Sequence, residues 1–247
     1  KSTGKESSAA SDVYKRQTLL VGGGGYAIRV SFALITQSAP ADDKAAAKTA
    51  VAAALQDSGV TRLIVEPRVS TRVAPTIADE ADAFFAHVLA ALMIADRLDV
   101  EVAFTPAEAT TATRRYGLPH GPAARELAEH GTADTLPLIR DDAATVVIGR
   151  ARHLGAEGAK LRGETYVDNE RLFDGEVKSV LIEPTVDEPG VRAQVERLLL
   201  PGRWVHGRAA QTGGTNVIVE REGIVTPRVV KRSTFYRHDV DLRLVRP

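Results

Sequence analysis

VEVAFTPAEATTATRRYGLP, Val100 to Pro119, is the stretch on which the fold turns. A short apolar strand, Val100–Phe104, runs into a loop anchored by Pro106 and filled with small and hydroxylic residues. Arg114, Arg115 and Tyr116 follow, and Gly117-Leu118-Pro119 breaks the chain before a helix, Pro122 to Glu129, with Gly131 near its end. A strand that ends in such a loop is where α/β proteins bind ligands.

Upstream, the same alternation of strands and helices recurs. Arg62–Val65 reads as a strand, and Thr76 to Arg97 as a long helix. Ile77, Ala81, Phe84, Phe85, Val88, Leu89 and Leu92 repeat there at helical spacing. Pro40 to Gln56 is alanine-rich, opens on proline and is followed by Gly59, the signals that start and stop a helix. Thr18–Val21 reads as a strand leading into Gly22-Gly23-Gly24-Gly25, and Tyr26–Ile35 as a helix. Strands alternating with long helices predict a parallel sheet covered on both faces.

Downstream of about Leu136 the pattern changes to short β-rich runs. These are Thr145–Ala151, Glu164–Val167, Glu176–Ile182, Arg203–Gln211, Asn216–Glu220, Ile224–Val230 and Val240–Val245. Asp168-Asn169 and Asp174-Gly175 are turn signals, and Gly190 to Leu200 reads as one interrupting helix. The expected fold is therefore α/β: an N-terminal parallel-sheet domain over 18–142, then a β-sandwich-like domain over 143–247. Ser7 to Gln17, SSAASDVYKRQ, resembles the in-frame translation of a transposase adaptor used in sequencing libraries. That resemblance makes 1–17 a non-native tail outside the fold.

Composition narrows the function. The 32 basic side chains balance the 32 acidic ones, so no net field favours nucleic acid or an anionic membrane. There is no cysteine, which removes disulfide and thiolate chemistry and fits a cytosolic protein. No apolar run is long enough to span a bilayer. Histidines show no metal-ligand spacing, and the serines lack a GxSxG elbow.

Four local features carry candidate chemistry. Gly22–Gly25 after a strand could bring backbone N–H groups close to a phosphate, or be a flexible turn. Arg114 and Arg115 could hold a phosphate in bidentate fashion, or decorate a surface loop. Arg221-Glu222-Gly223 reads as a hairpin turn with a carboxylate at its tip. In Lys231 to His238, alternation puts Arg232, Thr234, Tyr236 and His238 on one face, either a phosphate- or base-binding cluster or a solvated strand face.

VAFTPAEATTATRRYGLP resembles the strand–proline–small loop of the diacylglycerol kinase and sphingosine kinase family, which reads approximately PxGTxNDxAxxLGxP. Pro106 matches the proline, Glu108, Ala109 and Thr110 stand where Gly-Thr would be, and Gly117-Leu118-Pro119 matches the close. Thr111 or Ala112 replaces the Asn-Asp pair. The resemblance implies a lipid-kinase-like phosphotransferase that moves the γ-phosphoryl of ATP, with Mg²⁺, onto a lipid alcohol. Its partners would be a nucleotide, a lipid substrate and, at the periphery, a membrane surface. On this reading Thr110, Thr111, Arg114, Arg115 and Gly22–Gly25 hold the nucleotide, and Glu222 is the catalytic base. The family's GGDGT-type loop has no counterpart after Val65, where Glu66-Pro67-Arg68-Val69-Ser70-Thr71 follows without a glycine. The alternative is a catalytically inactive kinase-like binding or regulatory protein that has lost this loop.

Overall fold

The computed structural model describes residues 16–21, 28–38, 40, 43–68, 77–197 and 202–247. The first half runs β1 (Arg16–Val21), β2 (Ile28–Thr36), α1 (Lys44–Ala54), β3 (Arg62–Glu66), α2 (Ile77–Ile94), β4 (Glu101–Phe104), α3 (Thr111–Tyr116), α4 (Pro122–His130) and β5 (Thr132–Leu136). The second runs β6 (Ile139–Asp141), β7 (Val146–Val147), β8 (Ala151–Gly155), β9 (Leu161–Val167), β10 (Glu170–Val177), β11 (Ser179–Pro184), β12 (Val191–Glu196), β13 (Val205–Gly207), β14 (Ala209–Arg221) and β15 (Ile224–Arg237). The chain then returns to the first sheet as β16 (Leu242–Arg246).

The first sheet has the order β1-β2-β3-β4-β16-β5. Its four central strands are parallel and its two edges antiparallel. β4 thus lies inside a parallel sheet, as the Val100–Phe104 reading requires. One face is covered by α1 and α2. Ala47, Val51 and Ala54 of α1 recur at helical spacing and are buried with Ala33, Ile35, Leu63, Val65, Val102 and Phe104 of the strands. Phe85 of α2 stacks on Phe104 with ring centroids 4.3 Å apart. On the other face α4 packs Ala128 into a cluster with Phe32, Ile64, Ala103 and Val245. The C-terminal carbonyls of α4 would be orphaned there. Buried Arg62 donates to the carbonyls of Ala128 (2.7 Å) and Gly131 (2.8 Å) and pairs with Glu101 (2.8 Å).

The second sheet has ten strands, with β13-β12-β11-β8-β14-β15-β6-β7 in a row and β9 and β10 attached beside β14. The long β14 pairs with β9 through Ala210–Gly214 and with β8 through Val217–Arg221, so one strand bends across two neighbours. The enclosed core holds Val180, Ile182, Val217, Val219 and Phe235.

Three expectations are corrected. The helix expected over Tyr26–Ile35 is not formed in its described part: Ile28–Thr36 is a strand, with Phe32 and Ala33 buried on its two faces. The described part of Gly190–Leu200 is not a helix either. Val191, Ala193 and Val195 are buried and alternate with half-buried Arg192, Gln194 and Glu196, the period of β12. Arg16 and Gln17, expected outside the fold, open β1 opposite Ala33 and Phe32; edge pairing uses backbone groups, so polar side chains do not prevent it. The sheets also do not divide the chain at 142. β6 already belongs to the second sheet, and β16 crosses back to the first. The literal Asp174-Gly175-Glu176 lies within β10, while Asp168-Asn169 makes the turn before it.

Candidate functional site

α2 is buried almost all round, because the sheet, α1 and the start of the second half close on it from different sides. Its first turns therefore carry Asp82 into the interior, with 0% exposure. Facing it is the β14–β15 turn, Glu222-Gly223. Both residues have positive φ, 47° and 78°, as in a two-residue hairpin turn that asparagine, aspartate or glycine usually fills. Glutamate in this conformation costs conformational energy, and its side chain supplies a compensation. The Glu222 carboxylate is buried and accepts three consecutive backbone N–H groups, from Ile148 (2.7 Å), Gly149 (2.9 Å) and Arg150 (3.1 Å).

Gly149 permits this approach. A Cβ there would lie 2.5 Å from Glu222 Oε2 and 3.1 Å from Asp82 Oδ2. Asp82 Oδ2 accepts the Ala112 N–H at 3.0 Å, one of the donors that the start of α3 leaves unsatisfied. Burial, and then the neighbouring Asp82 charge, raise the proton affinity of Glu222 above the ordinary carboxylate range, against the pull of the three N–H donors. The pair spans the two halves.

A cavity of about 240 Å³ opens beside it. Its polar lining includes Lys44, His87, Thr145, Arg221, Glu222 and Thr226, and its apolar lining Ala83, Ala86 and Ile224. Lys44 Nζ donates to Thr145 Oγ1 at 3.0 Å. Arg221 donates through Nε to buried Asp141 Oδ2 at 2.6 Å and through Nη1 to Thr226 Oγ1 at 3.1 Å. Asp141 Oδ1 also takes the N–H groups of Ala143 and Thr145. Burial first, then Arg221, lowers the Lys44 pKa, with Asp141 opposing. A bound anion would offset the Arg221 repulsion by supplying a counter-charge.

The residues expected to hold a nucleotide are distributed differently. Thr110 is the N-cap of α3: its Oγ1 accepts the Thr113 N–H at 3.1 Å, and its own N–H is taken by Thr113 Oγ1 at 2.8 Å. Thr111 opens α3 and its Cβ approaches Gly149. Arg114 is exposed beside Thr111. Arg115 is committed to the protein. It donates to Gly149 O (2.9 Å) and Pro184 O (3.2 Å) and makes a two-point pair with Glu183, which ties α3 to β11. Gly22–Gly25 lie outside the described residues. Arg232, Thr234 and Tyr236 face outward on β15, with Thr234 donating to Gln211 and Arg140 over the Tyr236 ring; His238 follows the strand. This group is remote in contacts from the carboxylate pair.

Lys44, Asp82, Gly149 and Arg221 were not anticipated. Acidic residues in a helix's first turns usually answer the helix dipole at the surface, so Asp82, following Asp79 and Glu80, gives no local sign of burial. The described residues form no dedicated cage for the Mg²⁺ implied by the resemblance. Among the described residues no group of three or more acidic or histidine side chains converges. The Glu222 oxygens already accept three N–H bonds, whereas Mg²⁺ needs six oxygen ligands in near-octahedral array.

No family model matches the sequence, and no curated protein matches it. Two solved structures resemble the fold. An NAD kinase from Archaeoglobus fulgidus in complex with ATP is 9% identical, with a TM-score of 0.49 over 76% of this chain and 78% of that one. Yeast NADH kinase complexed with NADH is 8% identical, with a TM-score of 0.49 over 93% of this chain and 89% of that one. Neither is a lipid kinase by name. Among the described residues no helix is long and apolar enough to cross a membrane.

Proposed function

We propose that the cavity between the two halves binds a phosphorylated small molecule, with a nucleotide as the expected class. The carrying observation is that Lys44 and Arg221, each bonded to a threonine hydroxyl, line one cavity together with apolar side chains. Cations with adjacent hydroxyl donors suit phosphate oxygens, and the apolar side chains suit a base or sugar face. Arg115 serves this reading as a positioning residue that holds Gly149 in place, not as a phosphate ligand.

A second reading, phosphoryl transfer, is supported by Glu222. A buried carboxyl of raised proton affinity beside a cavity has the character of an acid–base group, acting as a base as pH rises toward about 8. On this reading Glu222 takes the proton of an acceptor hydroxyl, whose oxygen forms a bond to the γ-phosphorus as ADP leaves. Lys44 and Arg221 balance the charge. Ile224, Val225 and Pro227 at the rim would accommodate an acceptor with an apolar portion, such as a lipid alcohol.

Calorimetric titration with ATP and with NADH tests the binding reading, because a mononucleotide and a dinucleotide sample two ligand lengths. Lys44→Ala is expected to weaken binding about tenfold, the loss of one charge-assisted contact. No heat from either ligand at millimolar concentration, or identical affinity in the variant, refutes the reading. Radiolabel transfer from ATP to diacylglycerol, abolished by Glu222→Gln with binding kept, supports the second reading; binding without transfer leaves only the first.

A further inference from the structure

We propose that the free edge of β15 takes an extended acidic segment of a partner protein as an added strand. β15 pairs with β14 along one side, but β6 meets its other side only at Phe235–Arg237. Upstream, a register shift opposes Val217 and Val219 of β14 to Val230 and Thr226, so the strand bulges around Pro227. Residues 228–234 between bulge and β6 thus form an open edge with no described strand against it. An edge of this length presents a row of backbone donors and acceptors to one incoming strand.

The side chains specify the partner. Val229 is 49% exposed and Val225 45%. Arg228, Lys231 and Arg232 are exposed, and no ion pair engages them among the described residues. From Ile224 to Arg237 there is no acidic residue. The other cation of the strand, Arg237, is already paired with Glu188 and Asp241. A second copy of this edge would set these cations against one another, so an acidic strand suits it and self-pairing does not. A bilayer would leave the open backbone groups without partners and would find two exposed valines but no exposed aromatic anchor on the strand. The proposal shares Val225 with the cavity lining but rests on residues 228–234, which do not line it.

Fluorescence anisotropy tests it, using three labelled heptapeptides: Glu-Thr-Glu-Val-Glu-Thr-Glu, the same peptide with lysine for glutamate, and an acidic version with proline at alternate positions. The acidic peptide is expected to bind the full chain. Lys231→Glu/Arg232→Glu, or Arg228→Glu/Lys231→Glu if the first variant melts early, is expected to weaken it about tenfold, the effect of reversing two exposed pairs. The proline version, which lacks every second backbone donor and is held by its fixed φ away from the extended ladder, is expected not to bind. Equal binding of acidic and basic peptides overturns the proposal. So does equal binding of the proline version, which would mean charge attraction alone. So do sedimentation with phosphatidylserine vesicles that the acidic peptide does not compete away, and a dimer in solution that the charge reversals dissociate.

Discussion

Asp82 and Glu222 come from opposite halves of the chain, and their carboxylates close on the same backbone position, Gly149. A methyl group there would sit 2.5 Å from one and 3.1 Å from the other. The two acids are therefore neighbours because a glycine separates them, and the junction of the halves depends on that missing side chain.

Gly149→Ala should destabilise the protein by about 1–3 kcal/mol, the usual cost of forcing a methyl into a filled site. The opposing atoms belong to buried, hydrogen-bonded carboxylates and cannot swing aside. Urea unfolding measures the effect. An unchanged midpoint would mean that the carboxylates do not hold these positions.

The carboxylate pair also predicts a pH dependence. The folded state retains a proton on Glu222 that an unfolded glutamate, with a value near 4.5, has released. Unfolding then releases that proton, so this contribution to stability is present at low pH and is lost as pH rises from about 5 to about 8. Asp82→Asn removes the like charge and should flatten the decline. Melting temperatures of parent and variant across this range decide the point; parallel curves would show that the two groups do not interact.

His153 acts in the opposite direction. It is buried in the second sheet, its Nδ1 2.6 Å from Thr212 Oγ1, which is itself 2.6 Å from Thr165 Oγ1. Burial, and then Arg221, lower its pKa to about 3. The unfolded chain takes up a proton below about 6.5 that the folded chain refuses, so stability falls as pH drops from there toward 3. His153→Phe leaves Thr212 its Thr165 partner and should flatten this acid limb. A variant that loses stability with acid as steeply as the parent would assign the limb to other groups.

Arg115→Ala should cost about 2 kcal/mol, less than the usual penalty for breaking a buried pair. Glu183 is not left alone, since Arg192 holds it at 2.6 Å. A double-mutant cycle with Glu183→Ala isolates the Arg115–Glu183 term. A coupling indistinguishable from zero would show that the backbone contacts to Gly149 and Pro184 carry the effect.

The parallel core of the first half was legible because its signals are local. The apolar period of α2 and the strand-to-loop passage at Phe104–Pro106 each occupy one short window. Helix readings failed at Ile28–Thr36 and Val191–Glu196, where apolar residues fit either period over so few positions. The site was half legible. Glu222 was indicated only through the family resemblance, which makes it the catalytic base. Its partners were not, because Asp82, Lys44 and Gly149 are distant in sequence and converge only after β14, α2 and the β7–β8 connection have packed.

The return of β16 to the first sheet sets an order of assembly. β4 and β5 are not neighbours; each is paired with β16, through Val102–Leu244 on one side and the Thr132–Leu136 ladder on the other. A chain emerging from the ribosome therefore carries a sheet with a vacant central lane until residues 242–246 have been made. The first half is made first and finished last. Its two portions must wait, with apolar strand flanks uncovered, while the entire second sheet is synthesised. Pulse proteolysis of the released chain truncated after His238 should find β5 and α4 cleavable and the second sheet protected; resistance of both would mean that the first sheet closes without β16.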